Sequence, residues 1–301
     1  MKEGKMEEND RCLRSQALCR TLRSELAARV QRVRPLLGRA PTLALVRIGE
    51  NASDLAYAAG IQRQASNVGA DIETFVFPVT VNTAEVKGLV TEINRRGDLD
   101  GCLLLRPFPK DLDDALICRG LSGEKDLDGV SDSALAALYA GRPCYAPCTA
   151  EACLRLLDHY RIPLEGRKVL VIGRSLVIGK PVAMLLLDRH ATVRIAHSRS
   201  RELGELCRDA EIILAAAGKR GLFHREDLSP DQVLIDIGIH DDGKGGICGD
   251  LDAELAERVG LRYSPVPGGL GPVTSLVLME HLIQAAEMRL AARPEMEGET
   301  S

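Results

Sequence analysis

One segment constrains the possible folds of this chain more than any other. Lys168-Val-Leu-Val-Ile172 runs directly into Gly173-Arg174-Ser175, then Gly179-Lys180-Pro181 and the apolar stretch Val182–Leu187. A strand that is apolar on consecutive residues is covered on both faces. Pro181 suits the first turn of the helix that follows, where no backbone donor is needed. Strand, glycine turn and helix together demand a parallel sheet with a right-handed crossover. Further strands of the same kind are expected at Thr42–Ile48, Gly101–Leu105, Thr192–Ala196, Ile212–Ala215 and Val233–Ile237. Helical patterns occupy Leu13–Leu37, Ala84–Arg95, Pro181–Asp188 and Ala253–Val259. The fold class is therefore α/β. With 301 residues the chain exceeds what one core usually supports, so two domains are expected. Tyr139–Thr149, with Gly141, Pro143 and Pro147, is the expected hinge, and residues after Glu287 turn polar and should fray.

The turn at Gly173 also carries chemistry. Unpaired N–H groups at the start of a helix attract anions, and a guanidinium and a hydroxyl in that turn, Arg174 and Ser175, are phosphate donors. The spacing to Gly179 departs from G-x-G-x-x-G, and a lone Gly173 would fit a merely tight connection. The next strand ends in His197-Ser198-Arg199-Ser200. In a doubly wound sheet that end faces the ribose of a dinucleotide. NAD calls for an acid there, whereas Ser198 and Arg199 suit the 2′-phosphate of NADP.

Composition narrows the class. The 39 Lys and Arg against 43 Asp and Glu, net charge −4, argue against a nucleic-acid binder, as do nine aromatic residues and no Trp. No apolar run reaches the ~18–20 residues of a membrane span, and Met1–Asp10 lacks the apolar core of a secretory signal. Nine cysteines, an odd number without a CxxC pair, read as reduced in a cytoplasmic protein, with zinc at Cys144, Cys148 and Cys153 a minor alternative and no metal expected.

Longer motifs follow. Asp236-Ile-Gly238-Ile239-His240 closes a strand, Gly249-Asp250-Leu-Asp252 comes soon after, and Pro265-Val-Pro267-Gly268-Gly269-Leu-Gly271-Pro272-Val-Thr274 leads into an apolar helix for which Thr274 is a candidate cap. That last loop is stiff, and its backbone could touch a ligand. With the Gly173–Pro181 turn, it resembles the methylenetetrahydrofolate dehydrogenase/methenyltetrahydrofolate cyclohydrolase family. Lys125-Asp126-Leu-Asp128-Gly129 is similar to that family's KDVDG, Pro147-Cys148-Thr149 to its PCT, and Gly101–Pro109 to its GILVQLPLP strand. The similarity runs from Thr42 to the helix after Thr274.

The resemblance implies an N-terminal folate-binding catalytic domain over residues 1–145, completed by a C-terminal helix over 276–290. It implies a Rossmann-like NADP-binding domain over 146–275, a cleft between the two, a frayed tail over 291–301 and a homodimer. Tyr57 and Asp128 become the catalytic and substrate-binding candidates, joined for substrate by Pro267, Gly268 and Gly269. Gly173, Arg174, Ser175, Gly179, Ser198 and Ile239 become the NADP contacts.

Three departures stand out. The family's lysine, four residues after the tyrosine, is Ile61 here, and the glutamine that bonds that lysine is Leu105. The loop serine also falls one position early, at Ser53, with Asp54 in its usual place. Losing the lysine alone would orphan a polar group at ~1–3 kcal/mol, so the paired replacement reads as re-adaptation. Arg63 lies about 200° around a helix from Ile61, and Arg106 faces opposite Leu105 on a strand, so neither restores the lysine. The expectation is dehydrogenase activity with cyclohydrolase activity lost or very weak. A silent paralogue that binds folate or dinucleotide, or a reshaped site for another small substrate, stays open.

Overall fold

The computed structural model describes residues 11–243 and 245–292, which form two compact units. The first unit comprises Arg20–Ala137, Pro143–Cys148 and the described residues from Ser275 onward. The second comprises the described residues up to Cys19, Leu138–Arg142 and Thr149–Thr274.

In the first unit, α1 (Gln16–Leu37) buries Leu22, Leu26, Val30 and Val33 along one face. It ends past Pro35 at Gly38, whose left-handed backbone lets its N–H reach the Arg34 carbonyl at 3.0 Å. Next come β1 (Thr42–Ile48), α2 (Ala52–Val68), β2 (Asp71–Phe77), α3 (Thr83–Arg95), β3 (Gly101–Leu104), α4 (Asp114–Arg119) and α5 (Asp132–Tyr139); the first four residues of α1 and the last two of α5 are counted with the second unit. The three strands form a parallel sheet in the order β2-β1-β3. A reciprocal cap between Asn82 and Glu85 starts α3, whose Val86, Val90 and Ile93 enter a core with Ala44, Val46, Cys102 and Leu104.

The second unit holds α6 (Cys148–His159, of which Cys148 belongs to the first unit), β4 (Lys168–Ile172), α7 (Gly179–Asp188), β5 (Thr192–Ala196), α8 (Leu203–Asp209), β6 (Ile212–Ala215), β7 (Val233–Asp236), a ribbon of β8 (His240–Asp241) and β9 (Ile247–Cys248), α9 (Ala253–Val259) and β10 (Arg262–Tyr263). Five strands pair in parallel in the order β10-β7-β6-β4-β5. Strand order therefore reverses at β4, with β5 on one side and β6 on the other. Ligands of doubly wound sheets bind outside the carboxyl ends of the strands at such a reversal. Residues 11–13 run along β10, with Leu13 N–H to Tyr263 O at 2.7 Å.

The last helix, α10 (Gly271–Ala291), belongs to the first unit from Ser275 onward, where Glu287 pairs with Arg29 of α1 at 2.7 Å. Arg289 and Arg39 also share the buried carboxylate of Asp100, at 3.2 and 2.6 Å.

Four sequence-predicted strands have the expected bounds, while those starting at Gly101 and Val233 each end one residue earlier than expected. The helix expected from Leu13 starts at Gln16, because residues 11–13 are engaged by β10. Others start one or two residues early, at Thr83 and Gly179. Strand β2 escaped the reading because Asp71, Glu73 and Thr74 interrupt its apolar residues, leaving only the short run Phe75–Phe77 in place of the longer runs of covered strands. Two expectations fail. Thr274 is not a cap: it lies inside the first turn of α10, buried, with its hydroxyl on the Leu270 carbonyl. Helix α10 continues through residues 288–291, whose backbone bonds outweigh their polarity, and the Ala292 N–H bonds Met288 O at 3.0 Å. The remainder of the expected frayed tail, and Met1–Asp10, lie outside the described residues.

Candidate functional site

Within the first unit the KDLDG motif resolves into separate tasks. The Lys125 ammonium donates to the carbonyls of Ile93 and Arg96 at the end of α3, and burial lowers its pKa. Asp126, fully buried, accepts the N–H groups of Val130 and Ser131 at 2.9 and 2.8 Å. Leu127 offers its carbonyl to His281 of α10 at 2.7 Å and to the Cys148 thiol at 3.3 Å. Gly129 has φ +57°, and a Cβ there would come within 2.5 Å of the Tyr145 carbonyl oxygen. What remains is Asp128. Its Oδ1 accepts the Cys148 N–H at 2.9 Å, and no described Lys, Arg or His forms an ion pair with it. Burial raises its pKa, against the stabilising pull of the Cys148 N–H and thiol. A desolvated carboxylate held by a single residue is a strong acceptor in search of donors.

Helix α2 starts at Asn51, whose carboxamide accepts the Ser53 N–H at 3.0 Å. Its inward face is Ile61, Ala65 and Val68, spaced by four and three residues, and Ile61 is wholly inaccessible. Tyr57 lies one turn earlier on that face and keeps 38% of its surface open. Desolvation around its hydroxyl, reinforced by the negative Asp128 and by Cys148, pushes the phenol's pKa up, so it stays protonated at neutral pH. Leu105 continues the pairing of β3, its N–H on Val46 O at 2.9 Å, and is 5% exposed. Arg63 lies on the exposed face of α2, and Arg106 is engaged by Asp114, Nε to Oδ1 at 2.7 Å. The inward position four residues after Tyr57 is therefore apolar.

In the second unit, Gly173 has φ +132°, and a Cβ on it would lie well inside 3.0 Å of the Ala216 carbonyl oxygen at the end of β6. Gly179 in turn abuts the Gly173 carbonyl just as closely. Both positions are thus closed to any side chain, and they sit where strand order reverses. The Ser175 hydroxyl accepts the N–H groups of Ile178 and Gly179 at 3.1 and 3.4 Å, fixing the turn. Arg174 is exposed with no side-chain partner among the described residues, and Ser198 and Arg199 at the end of β5 are likewise exposed with free side chains. A backbone cradle with two unpaired guanidiniums and a free hydroxyl fits a multiply phosphorylated dinucleotide.

Ile239, between Gly238 and His240, is 66% exposed. In the loop before α10, the Val266–Pro267 bond is cis, Pro267 is exposed, Gly268 has φ +101° and accepts the Ser15 N–H at 3.0 Å, and Gly269 is packed against the Pro265 carbonyl. Among the described residues no three His, Cys, Asp or Glu side chains gather as metal ligands, and Cys148 and Cys153 instead spend their thiols on backbone carbonyls.

Comparison with known proteins agrees along almost the whole chain. Residues 13–128 match the family model described as the tetrahydrofolate dehydrogenase/cyclohydrolase catalytic domain, and residues 147–290 match that family's NAD(P)-binding domain. The chain belongs to the tetrahydrofolate dehydrogenase/cyclohydrolase family. The bifunctional protein FolD of Chloroflexus aggregans is 38% identical over 281 residues, covering 93% of this chain and 98% of the relative. FolD of Carboxydothermus hydrogenoformans is 37% identical over 270 residues, 89% and 94% of the two chains. Among solved structures, the FolD methylenetetrahydrofolate dehydrogenase/cyclohydrolase of Campylobacter jejuni superposes with a TM-score of 0.89 at 28% identity, covering 92% and 99%. The Trypanosoma brucei FolD, complexed with NADP cofactor and inhibitor, gives 0.88 at 26% identity, covering 93% and 98%. Both domains of the family are thus present, and Ile61 and Leu105 lie within the residues matched to the catalytic domain.

Sequence reading missed one group, the paired carboxylates Asp236 and Asp250. Burial raises Asp236 to about 6 even with three N–H donors on it. The motifs D-x-G and G-D were visible, but their mutual packing is a tertiary fact with no sequence signal.

Proposed function

We propose that this chain is an NADP-dependent dehydrogenase that oxidises 5,10-methylenetetrahydrofolate to 5,10-methenyltetrahydrofolate in one-carbon metabolism, and that it lacks the cyclohydrolase step of its family. The observation that carries this reading is Ile61, fully buried on the inward face of α2 where the family resemblance puts the lysine.

NADP, when bound, supplies the hydride acceptor. Oxidation breaks one C–H bond of the methylene bridge, and the folate nitrogens delocalise the cation that results. The protein's share is orientation, worth several kcal/mol when donor and acceptor are held in reacting geometry. Asp128 accepts hydrogen bonds from the amino-pyrimidine edge of the pterin. Tyr57 lies against the p-aminobenzoyl ring and, being protonated, donates a hydrogen bond and does not act as a base. Pro267, Gly268 and Gly269 line the substrate with backbone. Arg174, Ser175 and the N–H groups after Gly173 hold the pyrophosphate, Ser198 and Arg199 hold the 2′-phosphate, and Ile239 covers the nicotinamide.

Cyclohydrolysis is different chemistry. Water adds to the methenyl carbon, a C–N bond breaks, and the leaving nitrogen must receive a proton from a positioned acid, typically a factor of about 10²–10⁴. Ile61 and Leu105 offer no proton, Arg63 lies on the exposed face of α2, and Arg106 is engaged by Asp114. The exposed outer edge of β5, with Arg194 and Ile195 open to solvent, supports a homodimer formed through the second unit.

The test is spectrophotometric. Purified protein with 5,10-methylenetetrahydrofolate and NADP should accumulate NADPH. No NADPH above a no-enzyme control would remove the dehydrogenase reading.

A further inference from the structure

At the carboxyl ends of β6 and β7, two buried carboxylates hold three loops in a reciprocal clasp. Asp236, the last residue of β7, accepts the N–H groups of Gly238 at 2.9 Å and Asp250 at 3.1 Å on Oδ1, and that of Leu251 at 2.9 Å on Oδ2. Asp250, wholly buried, accepts Ala217 and Gly218 at 2.9 and 3.2 Å on Oδ2, and Lys219 at 2.9 Å on Oδ1. Its Oδ1 also meets His240 Nε2 at 2.7 Å. Glycines make the crossing possible: a Cβ at Gly238 would strike the Asp250 carboxylate, and a Cβ at Gly249 the Asp236 carboxylate, both well inside 3.0 Å. Each aspartate occupies the space left by the glycine beside the other.

The clasp lies next to the cofactor turn. Ala216, directly before the three N–H groups that Asp250 collects, is the residue whose carbonyl presses on Gly173. Gly238 and His240, the two residues the clasp immobilises, flank Ile239, which keeps an exposed apolar side chain. A dinucleotide with its pyrophosphate at Gly173 and its adenosine phosphate at β5 directs its other half toward β6 and β7. The loops held by the clasp are thus the ones that half must meet.

We propose that Asp250 and His240 are positioning residues for NADP: neither touches the cofactor, and together they fix Ile239 and the Ala216–Lys219 loop in the conformation that receives its nicotinamide half. This rests on the reading above only in taking the second unit to bind NADP. His240→Leu removes one bond from the clasp at a partly exposed ring, whereas His240→Gln can still donate to Asp250. Asp250→Asn tests the centre of the clasp, and the His240 pair carries the test should that variant fail to fold.

The experiment is a calorimetric titration of each full-length variant with NADP, alongside amide hydrogen exchange of residues 216–219 and 238–240 and thermal unfolding. His240→Leu is expected to weaken NADP binding about tenfold, speed exchange in both segments and leave the unfolding midpoint near that of the parent; His240→Gln should recover binding to within about twofold. Binding unchanged in His240→Leu would overturn the proposal, as would a loss that tracks global unfolding or is equal in the Gln variant. A parent protein that itself binds no NADP would instead overturn the function proposed above.

Discussion

The two proposed ligand-facing regions of this molecule differ. Around Gly173 the glycines, Arg174 and Ser175 that the resemblance calls for are present, whereas around Tyr57 the positions it assigns to a lysine and a glutamine hold Ile61 and Leu105. The difference lies in what each turn uses. At Gly173 the backbone does the work: φ is +132°, the Ala216 carbonyl closes the space, and any side chain is excluded. Such a turn is kept whole or lost whole. At α2 the work belongs to side chains on an unstrained helix, and a lysine's alkylammonium can be exchanged for an isoleucine's sec-butyl group without moving the backbone. Ile61 extends a buried stripe that already holds Ala65 and Val68. Chemistry carried by a side chain can thus be removed from a fold that chemistry carried by the backbone still requires.

The largest effect should come from the backbone turn. Gly173→Val is expected to weaken NADP binding by at least ~100-fold, about 3 kcal/mol, through collision with Ala216 and an unfavourable φ. Calorimetry against a folate-site ligand as control measures it. Tight NADP binding by the variant would break the contrast between the two turns.

Ile61→Lys comes next. An ammonium placed at a wholly inaccessible position should destabilise the protein by ~3 kcal/mol, and adding Leu105→Gln should restore part of that by giving it a partner. Urea unfolding of the single and double variants reads the coupling. If the single variant is as stable as the parent, the site has stayed polar and the re-adaptation argument fails.

Asp128→Ala should cost about 2 kcal/mol of folate affinity, roughly 30-fold, and leave NADP affinity within about twofold. Equal losses for both ligands would mean that Asp128 organises the fold more widely. The smallest effect is expected for Arg199→Ala: about a tenfold loss in the preference for NADP over NAD, seen in the ratio of their KM values.

Much of this was legible from the sequence, for physical reasons that differ by element. Strands β1, β4 and β6 were readable because continuous apolar runs signal cover on both faces, and β5 because its β-branched residues follow a turn even though it lies exposed at the sheet edge. The phosphate turn was readable because glycine, arginine and serine after such a strand carry their mechanism locally. Strand β2 was hidden by the polar residues Asp71, Glu73 and Thr74 that break its apolar run, and α2 by an inward face of only three buried residues. Thr274 misled because a residue fit to cap a helix does not cap once the helix begins three residues earlier. The clasp of Asp236 and Asp250 was illegible for a deeper reason. Its longer bonds join residues 14 to 33 positions apart, and only the folded chain brings each carboxylate to the other's glycine.

One comparison tests the central claim directly: the same purified protein assayed for NADPH formation from 5,10-methylenetetrahydrofolate and for hydrolysis of 5,10-methenyltetrahydrofolate, the latter against the buffer rate. The account predicts NADPH formation at a measurable steady rate, with methenyl decay no faster than in buffer. Enzymatic decay of the methenyl compound at a rate comparable to NADPH formation would contradict it.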